Sequence, residues 1–120
     1  MKHLFVPYNI ALIAKEKGFN EECCTYFLNQ ILQRLDGFGL MNEDFKDDEA
    51  RISAPLYQQL IDWFRYKHSI VIWIETAPYV YTFNFRFYIE TYDNRLEGNK
   101  SKDYYKVYNE ALIEGFKLIK

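Results

Sequence analysis

The chain has 120 residues, a length typical of one domain with one hydrophobic core. Apolar residues make up 49% of the chain and aromatic residues 19%, which excludes a disordered or low-complexity protein. The formal net charge of −2 gives no positive field that would attract nucleic acid or an anionic membrane, and no apolar run approaches the ~20 residues of a membrane span.

The first predicted helix covers residues 8–17 and follows a short extended segment at the start of the chain. Pro7 lies where the first turn of a helix tolerates proline, and Gly18 is a good stop signal. The segment has no apolar run that resembles a secretory signal peptide. The chain is therefore expected to be a complete cytoplasmic protein.

Residues 20–36 admit two interpretations. Apolar residues recur at helical spacing from Cys24 to Leu35, which favours a helix. The run Cys-Cys-Thr-Tyr-Phe at 23–27 is poor helix material and good strand material, which favours a strand. Periodicity leaves both interpretations open, and Gly37 ends either element.

The second predicted helix covers residues 54–68 and follows a polar, acidic stretch at 42–51 that is predicted to be a loop. Ser53 is its predicted N-cap, and Pro55 fits its first turn. The helix has an apolar face made of Leu56, Leu60, Ile61, Trp63 and Phe64.

Two strands follow this helix. The continuous apolar run at 70–76 predicts a strand that is buried on both faces, and Thr76-Ala77-Pro78-Tyr79 predicts a turn. Residues 80–91 alternate between apolar and polar side chains, which is typical of a half-buried antiparallel strand. The buried set is Tyr81, Phe83, Phe85, Phe87 and Ile89, and the opposite set is Thr82, Asn84, Arg86, Tyr88 and Glu90.

The last predicted helix covers residues 101–119, after a polar loop at 93–99. It begins near Ser101 or Asp103, and Gly115 lies inside it. Because glycine costs about 1 kcal/mol relative to alanine within a helix, its presence suggests close packing against the sheet.

The predicted fold is α+β, with all of residues 1–120 in a single domain. A small antiparallel sheet is centred on the hairpin of 70–76 and 80–91. Helices near 8–17, 54–68 and 101–119 cover one face of that sheet.

No constellation of residues in the sequence indicates catalysis or a metal site. The two histidines, His3 and His68, belong to no zinc-binding motif, and no glycine-rich phosphate loop is present. Cys23 and Cys24 are expected to be a buried, inert pair of thiols in a reducing compartment. The protein is therefore expected to be non-enzymatic, with no cofactor and no metal.

Two groups of residues are candidates for binding a partner or a ligand. Asn84, Arg86 and Tyr88 place an amide, a cation and a phenol side by side on the polar side of the 80–91 strand. Tyr57, Gln58 and Asp62 lie on the helix at 54–68, on the side opposite its apolar face. The aromatic strand lacks the glycines of RNA-recognition domains, so nucleic acid is not the expected partner.

Three stretches of the chain support a resemblance to a family. They are Lys2–Tyr8 with Ala14–Phe19, Ala54–Arg65 with Lys67–His68, and Tyr104–Tyr105 with Ala111–Glu114 and Phe116–Ile119. In these stretches the chain resembles a group of small proteins of tailed phages and prophages of anaerobic gut bacteria. The resemblance implies a phage origin, a single domain in the host cytoplasm and strands in 23–41, and it supplies no activity.

The expected function is that of a non-catalytic phage accessory protein that binds another protein. The surplus of Tyr and Phe favours an interface, and an exposed sheet edge would allow a homodimer. The alternative is a protein that binds or sequesters a small, nucleotide-like ligand.

Overall fold

The computed structural model describes residues 4–21, 23–34, 51–79 and 82–119. Across these ranges the fold is α+β, with three helices and two three-stranded antiparallel sheets. The chain divides into two compact units, 1–60 and 61–120, which are described in turn. In the described ranges, no helix combines the length and apolar character that a bilayer span requires.

The first unit contains helix α1 and one of the two sheets. Helix α1 covers Tyr8–Glu16, within one residue of the prediction, and it contacts strand β3. The strands are β1 (Thr25–Leu28), β2 (Ile31–Arg34) and β3 (Arg51–Ser53), in the order β2-β1-β3. The strand interpretation of 23–36 is thus confirmed as far as residue 34, and residues 35–50 lie outside the described ranges.

The β1–β2 hairpin explains why the helical spacing of 20–36 does not produce a helix. Asn29 and Gln30 form a two-residue turn with φ of 50° and 71°, the left-handed geometry that matches the twist of a hairpin. Thr25 is fully buried, and its Oγ1 donates a hydrogen bond to the Ala54 carbonyl at 2.8 Å. Pairing with β2 and β3 therefore overrides the apolar stripe.

The predicted start of the second helix is wrong. Helix α2 covers Tyr57–His68, three residues later than predicted, and Ser53 is the last residue of β3, where it pairs with Tyr26. The Pro55 carbonyl accepts a hydrogen bond from the Val6 amide at 3.0 Å. These residues take part in pairing with other segments, so the helix begins only after them.

The second unit contains the predicted hairpin and the last helix. Its strands are β4 (Val71–Tyr79), β5 (Thr82–Glu90) and β6 (Arg95–Glu97), in the order β4-β5-β6. Helix α3 covers Tyr104–Lys117, and the Asp103 side chain caps it by accepting a hydrogen bond from the Lys106 amide at 3.1 Å. The hairpin and the helix are confirmed.

Two predictions for this region are wrong. The turn predicted at 76–79 is part of β4, because Pro78 lies on an edge strand, where a missing N–H group is tolerated. The loop predicted at 93–99 contains β6, which pairs with the end of β5. Residues 80 and 81 lie outside the described ranges.

Strand β4 is buried on one face only, contrary to the prediction. Ile72 is 3% exposed, whereas its neighbour Val71 is 41% exposed. Helix α3 contacts β4 and β5, and a Cβ atom on Gly115 would lie 2.9 Å from Ile72 Cδ1 and 3.2 Å from Phe64 Cζ. The expected close approach of Gly115 to the sheet is therefore confirmed.

The α+β class and the three helices are thus confirmed, but the expectation of one sheet is too simple. Strands β1, β2 and β3 form a sheet of their own, which the predicted architecture did not include. The contacts place α3 against β4 and β5, and α1 against β3. That the whole chain is a single domain stays a prediction.

Candidate functional site

Strand β5 places the three candidate residues Asn84, Arg86 and Tyr88 on one face of the second sheet. Successive side chains of a strand point to opposite faces, so these three alternate with Phe87 and Ile89. Phe87 and Ile89 are buried, while the three polar side chains are half-buried. The predicted division of the strand into an apolar and a polar side is confirmed for these residues.

The neighbouring strands add four side chains to the same face. Residues directly opposite each other in antiparallel strands share a face, and Trp73 pairs with Tyr88 while Glu75 pairs with Arg86. Glu97 of β6 also pairs with Tyr88. Arg95 pairs with Glu90, which follows Tyr88 on the same face. The resulting surface, called the polar face below, consists of Trp73, Glu75, Asn84, Arg86, Tyr88, Glu90, Arg95 and Glu97.

A stack of two rings and a guanidinium lies at the centre of the polar face. The Trp73 and Tyr88 rings are stacked, with centroids 5.3 Å apart and planes 17° apart. The Arg95 guanidinium carbon lies 4.9 Å from the Tyr88 ring and 5.4 Å from the Trp73 ring. Trp73 Nε1 donates a hydrogen bond to Glu75 Oε1 at 3.4 Å, which orients the indole.

Interactions within the chain hold this stack together. A cation over an aromatic face contributes about 0.5–1 kcal/mol at an exposed site, and a stacked aromatic pair contributes a similar amount. Arg95 is exposed, so the outward edge of its guanidinium is available to another molecule. A binding surface with side chains already in place loses less conformational entropy on association.

Arg86 lies beside the stack and is only partly neutralised. Its Nη1 is 3.7 Å from Glu97 Oε2, a distance near the limit of an ion pair. Its Nε is shielded from solvent and has no hydrogen-bond partner in the described part of the chain. Arg86 therefore keeps one hydrogen-bond donor, its Nε, without an acceptor among the described residues.

The three helix residues do not form the surface patch that the sequence predicts. Tyr57 is 7% exposed and belongs to the core, Gln58 is exposed, and Asp62 is half-exposed. Asp62 Oδ1 lies 3.5 Å from Arg65 Nη2, one turn further along the helix. Tyr57 therefore presents almost no surface to a partner, and the binding role of the three residues stays a prediction.

Four residues from the neighbouring strands are not candidates on the sequence alone: Trp73, Glu75, Arg95 and Glu97. Trp73 and Glu75 lie in the run that is predicted to be buried on both faces. Arg95 and Glu97 were assigned to a loop, because β6 contains a single apolar residue, Leu96. The alternation of Arg95, Leu96 and Glu97 is the one sequence signal for this short strand.

A groove of about 410 Å³ lies between β6 and α3, and it is called the β6 groove below. Its lining consists of Phe87, Leu96, Glu97, Gly98, Asn99, Glu110 and Glu114. Gly98 is required here, because a Cβ atom on it would overlap the Phe87 ring. The lining of the groove therefore combines two apolar side chains, Phe87 and Leu96, with three carboxylates.

A second pocket of about 550 Å³ lies beside the C-terminal ends of α2 and α3. His68 lines it, and its ring is 4.6 Å from the Trp63 ring in a T-shaped arrangement. Burial, and then the charge of Lys67, lower the pKa of His68 below its usual value of 6.5. The lowered pKa therefore favours the neutral form of the imidazole.

The two thiols differ in exposure, whereas the sequence predicts a buried pair. Cys23 is buried, whereas Cys24 is exposed. Burial, and then the neighbouring Cys24, raise the pKa of the Cys23 thiol from its usual value of 9.0 to about 12, so Cys23 is inert. Within the described ranges, no group of three His, Cys, Asp or Glu side chains is arranged to hold a metal ion.

Comparison with known proteins adds no relative: no family model, curated protein or solved structure matches the chain. The phage origin that the sequence resemblance implies therefore stays a prediction. The polar face and the two pockets have to be interpreted from their own chemistry.

Proposed function

We propose that the protein acts by binding another protein, without catalysis, and that the polar face is its contact surface. The observation that supports this proposal is the stack of Trp73, Tyr88 and Arg95. Tryptophan, tyrosine and arginine are the residue types that most often dominate the energy of protein interfaces. The apolar face of the same sheet packs in the interior, so these large side chains are not needed for that core.

We further propose that the protein is a phage accessory protein of the host cytoplasm. Only the sequence resemblance supports this part of the proposal. The partner would then be a host or phage protein.

The experiment that tests the binding proposal is affinity capture with the tagged full chain from lysates of anaerobic gut bacteria, quantified by mass spectrometry. Trp73→Ala and Arg95→Ala remove parts of the stack. A residue that dominates an interface contributes at least about 2 kcal/mol, so we expect each variant to reduce capture of the partner by roughly thirtyfold.

Tyr66→Ala is the matched control. Tyr66 is an aromatic residue on α2 that is 61% exposed, and it is not part of the polar face. We expect this variant to capture the partner as the wild type does, and circular dichroism should show that all three variants are folded. Equal losses from Tyr66→Ala and Trp73→Ala, or capture that is insensitive to Trp73 and Arg95, would contradict the proposal.

A small, nucleotide-like ligand is the second candidate. The observation that favours it is the same stack, because aromatic rings with an arginine also bind nucleobases by stacking. A ligand that binds only the folded state raises the unfolding temperature, so nucleotides at millimolar concentration should do so for the wild type and not for Trp73→Ala. No shift with any nucleotide would exclude this candidate.

A further inference from the structure

We infer that the partner inserts an arginine or lysine side chain into the β6 groove. This inference rests on the proposed function, because it names the chemistry of the partner that the polar face binds. It depends on the charges of the groove, on its shape and on its connection to the polar face.

The groove contains more negative charge than its surroundings neutralise. Glu97 is 3.7 Å from Arg86, and Glu114 Oε1 is 2.9 Å from Lys117 Nζ. The Glu110 carboxylate has no hydrogen bond or ion pair to any residue in the described ranges. One carboxylate of the three is thus without a cation.

Helix α3 makes this surplus unfavourable in the free protein. Glu110 and Glu114 are four residues apart, so they are neighbours on one side of the helix, where like charges repel. Both line the groove and are half-buried, so solvent screens their charges less than at a fully exposed site. A positive group in the groove would relieve this repulsion.

The shape of the groove selects a long cationic side chain over a metal ion. Its walls include the Phe87 ring and Leu96, which suit the methylene groups of arginine or lysine. The carboxylates belong to no cluster in the described ranges that is arranged as metal ligands. A guanidinium or ammonium on an apolar stem matches both the apolar side chains and the carboxylates of the lining.

Glu97 connects the groove to the polar face. It belongs to the polar face by its pairing with Tyr88, and it also lines the groove. Phe87 and Leu96 point to the opposite face of the sheet, so a partner that covers Trp73 and Arg95 enters the groove by extending around the edge strand β6, past Glu97. Charge complementarity makes a basic side chain the group of that partner that fits there.

The test uses isotope-labelled full-length protein and three blocked tripeptides, Gly-Arg-Gly, Gly-Lys-Gly and Gly-Glu-Gly. Nuclear magnetic resonance follows the amide signals of residues 96–99 during each titration. We expect the arginine and lysine peptides to shift these signals saturably and the glutamate peptide to leave them unchanged. The absence of shifts with the basic peptides would overturn the inference.

Glu110→Gln removes the unpaired charge without changing the size of the side chain. One ion pair at a partly exposed site corresponds to about a threefold change in affinity, so we expect the dissociation constant of the arginine peptide to rise by about threefold. Glu16→Gln is the matched control, since Glu16 is an exposed glutamate of α1 that lines neither the groove nor the polar face. Equal effects of the two variants would show general attraction to acidic residues and overturn the inference.

Glu110→Lys places a cation in the groove from within the chain, and we expect it to abolish binding of the basic peptides. A titration with spermidine tests whether the groove binds a free polyamine instead of a partner side chain. If spermidine shifts the signals of 96–99 and the tripeptides do not, the groove binds a small polyamine and the inference about a partner side chain is wrong.

Partner capture separates this inference from the proposed function. If Trp73→Ala reduces capture by roughly thirtyfold and Glu110→Gln reduces it by about threefold, both stand. If Trp73→Ala reduces capture by that amount and Glu110→Lys leaves it unchanged, the proposed function stands and the inference fails. If capture is insensitive to Trp73, both fail.

Discussion

The two faces of the second sheet are built from the same strands and have comparable aromatic character, but they differ in what covers them. On one face, Phe87 and Ile89 are buried, and α3 contacts the strands that provide them. On the other face, Trp73 and Tyr88 are half-buried and stacked under Arg95. Residue type therefore does not separate core from surface here, whereas the side of the strand does.

The largest expected effect comes from comparing two adjacent residues of β5. Ile89 is fully buried, so Ile89→Ala should lower the free energy of unfolding by about 2–5 kcal/mol through lost burial and a cavity. Tyr88→Ala removes a surface stack and should lower it by about 1 kcal/mol. Urea unfolding of both variants measures the difference, and equal losses would show that the polar face is part of the core.

The contact between Gly115 and the sheet provides the next test. Ile72 Cδ1 and Phe64 Cζ leave room for hardly more than a Cβ atom, so Gly115→Val should overpack the site and cost about 1–3 kcal/mol. Gly115→Ala gains about 1 kcal/mol in helix propensity, which offsets the small shift that Ile72 must make. We expect its unfolding temperature to lie near that of the wild type.

A markedly lower unfolding temperature for Gly115→Ala would mean that the helix cannot adjust at all. Full tolerance of Gly115→Val would mean that the contact between α3 and the sheet is looser than the distances indicate. Thermal unfolding followed by circular dichroism distinguishes these outcomes.

Much of the fold follows from local patterns in the sequence. The three helices and the β4–β5 hairpin have long periodic segments, and Asp103 is an N-cap of the expected kind. Strands β3 and β6 have three residues each, which is too short to show a clear period. Strand β3 is fixed by pairing with the distant β1, whereas β6 pairs with the adjacent end of β5 but has a single apolar residue, Leu96, to indicate it.

Only part of the candidate site can be predicted from the sequence, because the face of a strand is a local property and the pairing of strands is not. The two-residue period of β5 places Asn84, Arg86 and Tyr88 on one face without any knowledge of the neighbouring strands. The stack also requires the hairpin register. A turn centred in 76–79 would place Trp73 opposite Thr82, because residues equidistant from the turn pair, whereas the longer hairpin places it opposite Tyr88.

The smallest expected effect on stability concerns two adjacent residues of the first unit that differ in exposure, Cys23 and Cys24. Cys23 is 2% exposed and Cys24 is exposed. With a pKa of about 12, only on the order of one Cys23 thiol in 10,000 is ionised at pH 8, and burial also blocks access to it. Titration of the native protein with a disulfide reagent at pH 8 should therefore detect one fast thiol, and Cys24→Ser should remove it. Because Cys24 is a surface residue, that substitution should change the free energy of unfolding by less than about 0.5 kcal/mol. Two thiols that react equally fast in the native protein would show that Cys23 is not protected by the packing around it.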